Sequence, residues 1–386
     1  NYDFKKSSFL SLFILSSPIL IFLVTGPKAQ LFPQTLTATS LYLTVSNKKI
    51  DSKTFAIICI LVMGAAQQKL SFILTGGVIG IWALCKAFPQ SKLILLYGFL
   101  TFIFFFLPRG LWNIQQLTEF SFIGFFTPLP TEFTDSLRAF RGSRLWFPFN
   151  IFFPEDMNNI HGLLGFQILL LLLIKKTNPK FRETFSLIII ASILIYFLGQ
   201  AEVRSYYEML LWTAVALSFL TDQEFRFNNS NRFLVAQGSV VLAIALFGVF
   251  TLTPGSLSTK WREEIMNRSA FQYSAMEWSN KNLPKNAVVI SLLRSVSLLE
   301  TDFISGDWLN YDTDRTKYYE MIKNKKVNFI ISKSPLSVDF PLFRCVGKKF
   351  AGPKSFPHAI RSPFNTAPSY NVAIYHFNSK LIPECI

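Results

Sequence analysis

The signatures of common soluble enzymes are missing from this chain. It carries no GxSxG nucleophile elbow, no Walker loop, no HExxH helix and no glycine-rich dinucleotide fingerprint, which removes the usual sequence marks of serine-hydrolase, nucleotide-dependent and zincin chemistry. Cysteine is scarce. Cys59 and Cys85 lie in apolar runs, Cys345 and Cys385 in a polar C-terminal region, and no CxxC or Cys/His cluster gathers ligands, so no metal site is expected from them. Charge makes up only 16% of the residues, with 23 Asp and Glu against 38 Lys and Arg. The basic residues fall mostly in short linkers between apolar runs or in the C-terminal region, which favours anionic lipid and phosphate as partners over nucleic acid. No repeat of fixed period is evident. Asn1, Tyr2 and Asp3 include neither an initiator Met nor the order of a signal peptide, so a chain truncated at its N-terminus is expected.

What is present is apolar. With 51% hydrophobic residues and 42 Phe, the chain is too apolar for an ordinary soluble globule. The expected fold is mainly α, a polytopic transmembrane helix bundle of about nine spans followed by a small α/β periplasmic domain. Residues 1–252 would form the membrane part, with an outer amphipathic loop at 108–159, and residues 253–386 the extracytoplasmic domain. The spans read as Phe9 to Val24, Leu31 to Val45, Thr54 to Gln68, Ser71 to Ala87, Leu93 to Leu107, Ile160 to Ile174, Thr184 to Gly199, Tyr206 to Leu220 and Phe233 to Leu252.

Basic residues in short connections set the orientation, because Lys and Arg are retained on the cytoplasmic side. Lys5 and Lys6, Lys48, Lys49 and Lys53, Lys86 and Lys92, Lys175 to Arg182, and Arg226 with Arg232 all fall on one side; the short connections opposite hold only Lys28, Lys69 and Arg204. The long loop and the C-terminal region then share the outer face of a bacterial inner membrane. In the C-terminal region, helices are expected over Trp261 to Asn280 and Thr316 to Lys325, and strands over Ala287 to Ser291, Val327 to Ser332 and Tyr370 to Phe377. Pro335 to Pro368 reads as loop. Cys345 and Cys385, on an oxidising outer side, are expected to form a disulfide tying the tail to that loop.

Gly199 to Tyr207 interrupts two apolar runs with Glu202 and Arg204. Such a pair is either a helix end at the water interface or the wall of a polar site at the membrane surface. Arg138, Arg141 and Arg144 recur every three residues with Leu137, Phe140, Leu145 and Trp146 between them. On a helix they share a face, suited to resting on anionic lipid or to gripping a lipid-linked phosphate through paired hydrogen bonds. Glu155 and Asp156 fit the start of the sixth span or a cation or sugar hydroxyl.

The order of these features resembles the later two thirds of polytopic GT-C glycosyltransferases related to lipid A aminoarabinose transferases and protein O-mannosyltransferases. The residues that carry the likeness are Gly64 to Lys69, Arg109 to Asn113 leading to Pro128 and Pro130, Gln200 to Tyr207, and Met276 to Trp278 followed by Asn282 to Val289. The resemblance implies a polyprenyl-phosphate sugar donor and a catalytic acidic residue in a first outer loop, which would lie upstream of Asn1 and leave this fragment inactive. It leaves room for a divalent cation. Arg204, Lys69, Arg138, Arg141, Arg144 and Arg109 are the candidates for the donor phosphate, since fixed cations stabilise a departing phosphate. Gln200, Glu202, Tyr206, Tyr207, Trp112 and Asn113 are the candidates for orienting substrate. The expected activity is transfer of a sugar to an envelope glycan, lipid or protein; a flippase or transporter for lipid-linked sugars is the alternative.

Overall fold

The computed structural model describes residues 2–25, 30–68, 72–87, 94, 96–101, 103–104, 107, 151–153, 163–198, 203–221, 223–225, 227–293, 295–306, 315–338, 340–358 and 369–385. The protein is mainly helical with a small mixed sheet toward its C-terminus. It divides into two compact units, one ending at Ala245 and the other beginning at Leu246.

In the first unit, α1 (Tyr2–Leu15) and α2 (Ile19–Thr25) share the first apolar run, and α3 (Leu31–Ser46), α4 (Ser52–Gln68) and α5 (Phe72–Ala87) follow. After them come α6 (Pro179–Leu198), α7 (Val203–Ser218) and α8 (Phe227–Leu252), whose residues from Leu246 onward belong to the second unit. Among the described residues, one stretch, Ser230–Leu257, is both long and apolar enough to cross a membrane, with mean hydropathy 2.3; Ser52–Gln68 and Phe72–Ala87 are shorter apolar helices.

The helical unit has an apolar core that includes Phe9, Phe13, Ile58 and Leu210, and into it α3 turns a polar face. Along α3, Gln34, Thr37, Ser40 and Thr44 are buried at helical spacing, whereas Phe32 and Tyr42 are exposed. Ser40 and Thr44 donate to the carbonyls four residues back, so their hydroxyls are satisfied within the helix. On α6 and α8, Ile190, Phe197, Val240 and Phe250 lie exposed. Buried hydroxyls beneath exposed aliphatic and aromatic side chains invert the soluble pattern and suit helices solvated by lipid. Gly76 lets α5 approach α4 closely, since a Cβ there would come within 2.7 Å of Val62.

Several lysines gather at one end. Lys6 donates to Leu220 O at 2.9 Å, Lys86 to Thr44 O and Asn47 O at 2.9 and 3.1 Å, and Lys180 to Ser46 O at 2.9 Å. Each ammonium thus meets carbonyls at the C-terminal end of α3 or α7, where the helix dipole is negative. Lys86 also pairs with Glu183 at 2.6 Å. At the same end Glu224 accepts from the Thr221 N–H at 2.9 Å and the Asn178 amide at 3.2 Å. The Thr221 N–H above all holds this carboxyl below the usual carboxylate range.

Two helical expectations change in this unit. The run Ile160 to Ile174 is not an α-helical span where described: residues 163–165 have no regular secondary structure and Phe166–Leu173 forms 3₁₀ turns. Eight residues of that kind rise only about 16 Å. Gly165, at φ +104, sets the break. Phe9 to Val24 is two helices, because Pro18 lacks an N–H and Ser16 and Ser17 turn their polar groups elsewhere.

The second unit contains α9 (Pro254–Leu257), α10 (Thr259–Ser269), α11 (Tyr273–Asn282) and α12 (Arg315–Asn324), with strands β1 (Val288–Ser291), β2 (Asp302–Ser305), β3 (Phe329–Lys333), β4 (Val346–Phe356) and β5 (Tyr370–Phe377). The sheet order is β2-β1-β3-β5-β4, parallel among the first three and antiparallel at β5 and β4. Alternation builds two cores: Val289, Ile331 and Ile374 pack with Ala275 and Met276 of α11, while Ile290 and Ile330 pack with Tyr318 and Ile322 of α12. Cys345 and Cys385 are joined by a disulfide in the second core, with Cα atoms 5.6 Å apart.

The single helix expected over Trp261 to Asn280 is two helices, interrupted where Gln272 takes a left-handed backbone at φ 61. The expected loop Pro335 to Pro368 contains β4, an exposed edge strand whose irregular pairing to β5 and Pro353 hide its alternation.

Candidate functional site

Three helices of the first unit converge on one buried carboxyl. Glu208, in the second turn of α7, is 3% exposed. Its Oε1 accepts from Thr37 Oγ1 of α3 at 2.5 Å, and the Thr75 hydroxyl of α5 hydrogen-bonds the same carboxyl. Trp212 Nε1, one turn along α7, donates to Thr37 Oγ1 at 3.5 Å. Thr37 also lies 3.0 Å from Gln34 O, and its single proton serves one acceptor at a time. Burying such a group is costly unless it is hydrogen-bonded, and the Thr-rich face of α3 provides that bonding. Along α7, Glu208 stands about 8 Å from the helix start, near the end opposite the lysines.

A second polar node lies where the helices break. Ser17 Oγ donates to Leu164 O at 2.5 Å, and Ile19 N to Leu163 O at 2.9 Å. Gln237 of α8 accepts from Phe166 N at 3.0 Å and donates to Ser16 O at 2.7 Å and to Gln167 Oε1 at 2.6 Å. The interrupted helix and the irregular 163–165 segment therefore satisfy each other's backbone groups, as non-helical backbone buried within a helix bundle must. A Cβ at Gly165 would collide with both glutamines.

Most of the site residues expected from sequence lie outside the described residues: Lys69, Arg109, Trp112, Asn113, Arg138, Arg141, Arg144, Gln200 and Glu202, with Glu155 and Asp156. Arg204 stands in the first turn of α7. Tyr206 and Tyr207, expected to line a sugar or prenyl path, are buried at 3% and 1% exposure. Both turn inward because α7 packs against α1, α2, α3 and α6 and is enclosed on several sides. Glu208, next in sequence, has no role in the sequence reading, which counts it into an apolar span. Its signal is an acidic residue inside that run together with a Thr- and Gln-rich partner helix.

Residues 6–266 match the DUF1420 N-terminal domain, and residues 267–386 match the DUF1420 C-terminal domain. The chain belongs to the DUF1420 family. The two DUF1420 domains meet at Asn267, at the end of α10. Neither DUF1420 description names a glycosyltransferase, a substrate or a reaction. No curated protein and no solved structure matches the chain.

Proposed function

We propose that this DUF1420 protein is a polytopic membrane glycosyltransferase. It moves a sugar from a polyprenyl-phosphate donor to an envelope glycan, lipid or protein at the outer face of a bacterial inner membrane. The observation that carries this reading is the buried carboxyl of Glu208, bonded by Thr37 and Thr75 and one turn along α7 from Arg204. A fixed polar framework there holds the start of α7 in place, and a guanidinium on a rigid helix end stabilises a departing lipid phosphate better than one on a loop. The exposed aliphatic surface and the inward hydroxyls of α3 support membrane residence. The resemblance to GT-C enzymes supplies the reaction class.

Membranes of the source cell, with or without a chromosomal Arg204→Ala change, are the assay system. With radiolabelled polyprenyl-phosphate sugars, transfer into the envelope fraction should fall about 100-fold if one transition-state charge contact is lost. Equal transfer by both membranes removes Arg204 from the site, and no protein-dependent transfer from any such donor refutes the enzyme reading.

The break between α1 and α2 favours one alternative, a transporter or flippase for lipid-linked sugars. Interrupted helices with polar backbone contacts are characteristic of transporters. Movement of a fluorescent polyprenyl-phosphate sugar across proteoliposomes, without transfer to acceptor, is the result that selects it.

A further inference from the structure

The C-terminal unit holds a cleft of about 260 Å³ whose lining comes from three elements. Ser274, Glu277, Trp278 and Lys281 line it from α11. Their spacing of three, four and seven residues puts them on one helix face. Lys354 and Phe356, two apart on β4, share one face of the strand, and Asn267 contributes from the end of α10. The floor is aromatic: the Trp278 and Phe356 rings are 5.7 Å apart, and the row continues to Tyr370 at 6.2 Å. The rim is charged. Lys281 pairs with Glu277 at 2.5 Å, and Lys354 sits 5.8 Å from the Phe356 centroid; beyond the lining, Lys333 lies 5.8 Å from the Tyr370 centroid.

An aromatic floor with a polar rim matches a pyranose ring, which has apolar C–H faces and hydroxyls around its edge. A lipid tail would offer the Lys354 ammonium no polar partner. Ligand pockets usually run from about 300 to 1,000 Å³, so this smaller cleft suits one ring, with neighbouring units extending along the surface. Of the lining charges, Lys281 is paired with Glu277, which leaves Lys354 as the surplus cation, with Lys333 over Tyr370 farther along the aromatic row. That balance favours an anion. We propose that the cleft binds an acidic glycan segment, one ring against Trp278 and Phe356 with its carboxylate or phosphate at Lys354, and the next unit toward Tyr370. The site goes beyond the transfer reaction and stands on the C-terminal unit alone, so equilibrium binding without any donor lipid tests it separately.

The experiment is calorimetric titration of the purified full chain in nanodiscs with trigalacturonate, a hyaluronan hexasaccharide, neutral maltotriose and inorganic phosphate. At least one acidic oligosaccharide should bind about tenfold or more tightly than maltotriose and phosphate, and 0.5 M NaCl should weaken it. Lys354→Glu, at an exposed position, should lower that affinity about tenfold, and Trp278→Leu should abolish it. If Trp278→Leu misfolds by circular dichroism, Lys354→Glu and Glu277→Gln still read the cleft. No binding of either acidic probe, equal binding of maltotriose, phosphate binding as tightly as the oligosaccharides, or unchanged affinity in Lys354→Glu overturns the proposal.

Discussion

Glu208 fixes three helices through hydrogen bonds that no apolar side chain can replace. Its partners Thr37 and Thr75 come from α3 and α5, and Trp212 reaches the same Thr37 hydroxyl. Truncation to Ala would remove the acceptor that joins the helices, leaving Thr37 and Thr75 only the carbonyls of Gln34 and Phe72 in their own helices, and would open a void, so Glu208→Ala should cost about 3 kcal/mol. Glu208→Gln keeps an acceptor oxygen within reach of Thr37 and should cost less than Ala. Thr37→Val, which keeps the side-chain shape but withdraws the donor, should cost about 1 to 3 kcal/mol. Thermal unfolding in detergent measures all three. A melting temperature unchanged in Glu208→Ala would mean that the carboxyl does not hold these helices together.

Elements were legible from sequence wherever one rule governed them. The strand over Tyr370–Phe377 reads directly because its apolar, β-branched and aromatic residues fill both faces at its centre, where Val372, Ala373 and Ile374 are all buried. Helix α12 reads from its amphipathic period, and α3, α4 and α5 from their apolar length. Competing rules hid the rest. Strand β4 is exposed, bulged and interrupted by Pro353, so neither hydrophobicity nor alternation marks it. The 166–173 segment is as apolar as a membrane helix, but Gly165 and the glutamine contacts that govern its conformation come from distant parts of the chain. The site was less legible for the same reason. Glu208 gains its meaning from α3 and α5, whereas sequence emphasises the nearby Arg204. The Cys345–Cys385 bond joins positions 40 residues apart, and on the chain-entropy account a loop of that size contributes about 4 kcal/mol. The paired change Cys345→Ser with Cys385→Ser should therefore lower the denaturation midpoint of the C-terminal unit, and reduction of the unchanged protein should reproduce the shift. Equal midpoints would mean that strand pairing and core packing alone secure the tail.

At the scale of the whole molecule, charge and helix direction agree within the helical unit. The C-terminal ends of α3, α5 and α7 and the N-terminal ends of α1 and α6 are linked through Lys6, Lys86 and Lys180. Alternating helices bring these termini to a common end, and the ammonium groups there meet negative dipole ends as well as carbonyls. The same lysines belong to the set that the positive-inside rule assigns to the cytoplasm. Reporter fusions test the assignment directly. Green fluorescent protein joined after Lys48 or Lys176 should fluoresce, and alkaline phosphatase at those positions should be inactive. Joined after Ser269, in the C-terminal unit, phosphatase should be active and the fluorescent protein dark. Phosphatase activity at Lys176 would reverse the orientation of the helical unit, turning the Glu208 end toward the cytoplasm and removing the basis for a periplasmic donor site. Phosphatase inactivity at Ser269 alone would leave that orientation intact but put the C-terminal unit, with its disulfide and its cleft, on the reducing side of the membrane, away from envelope glycan.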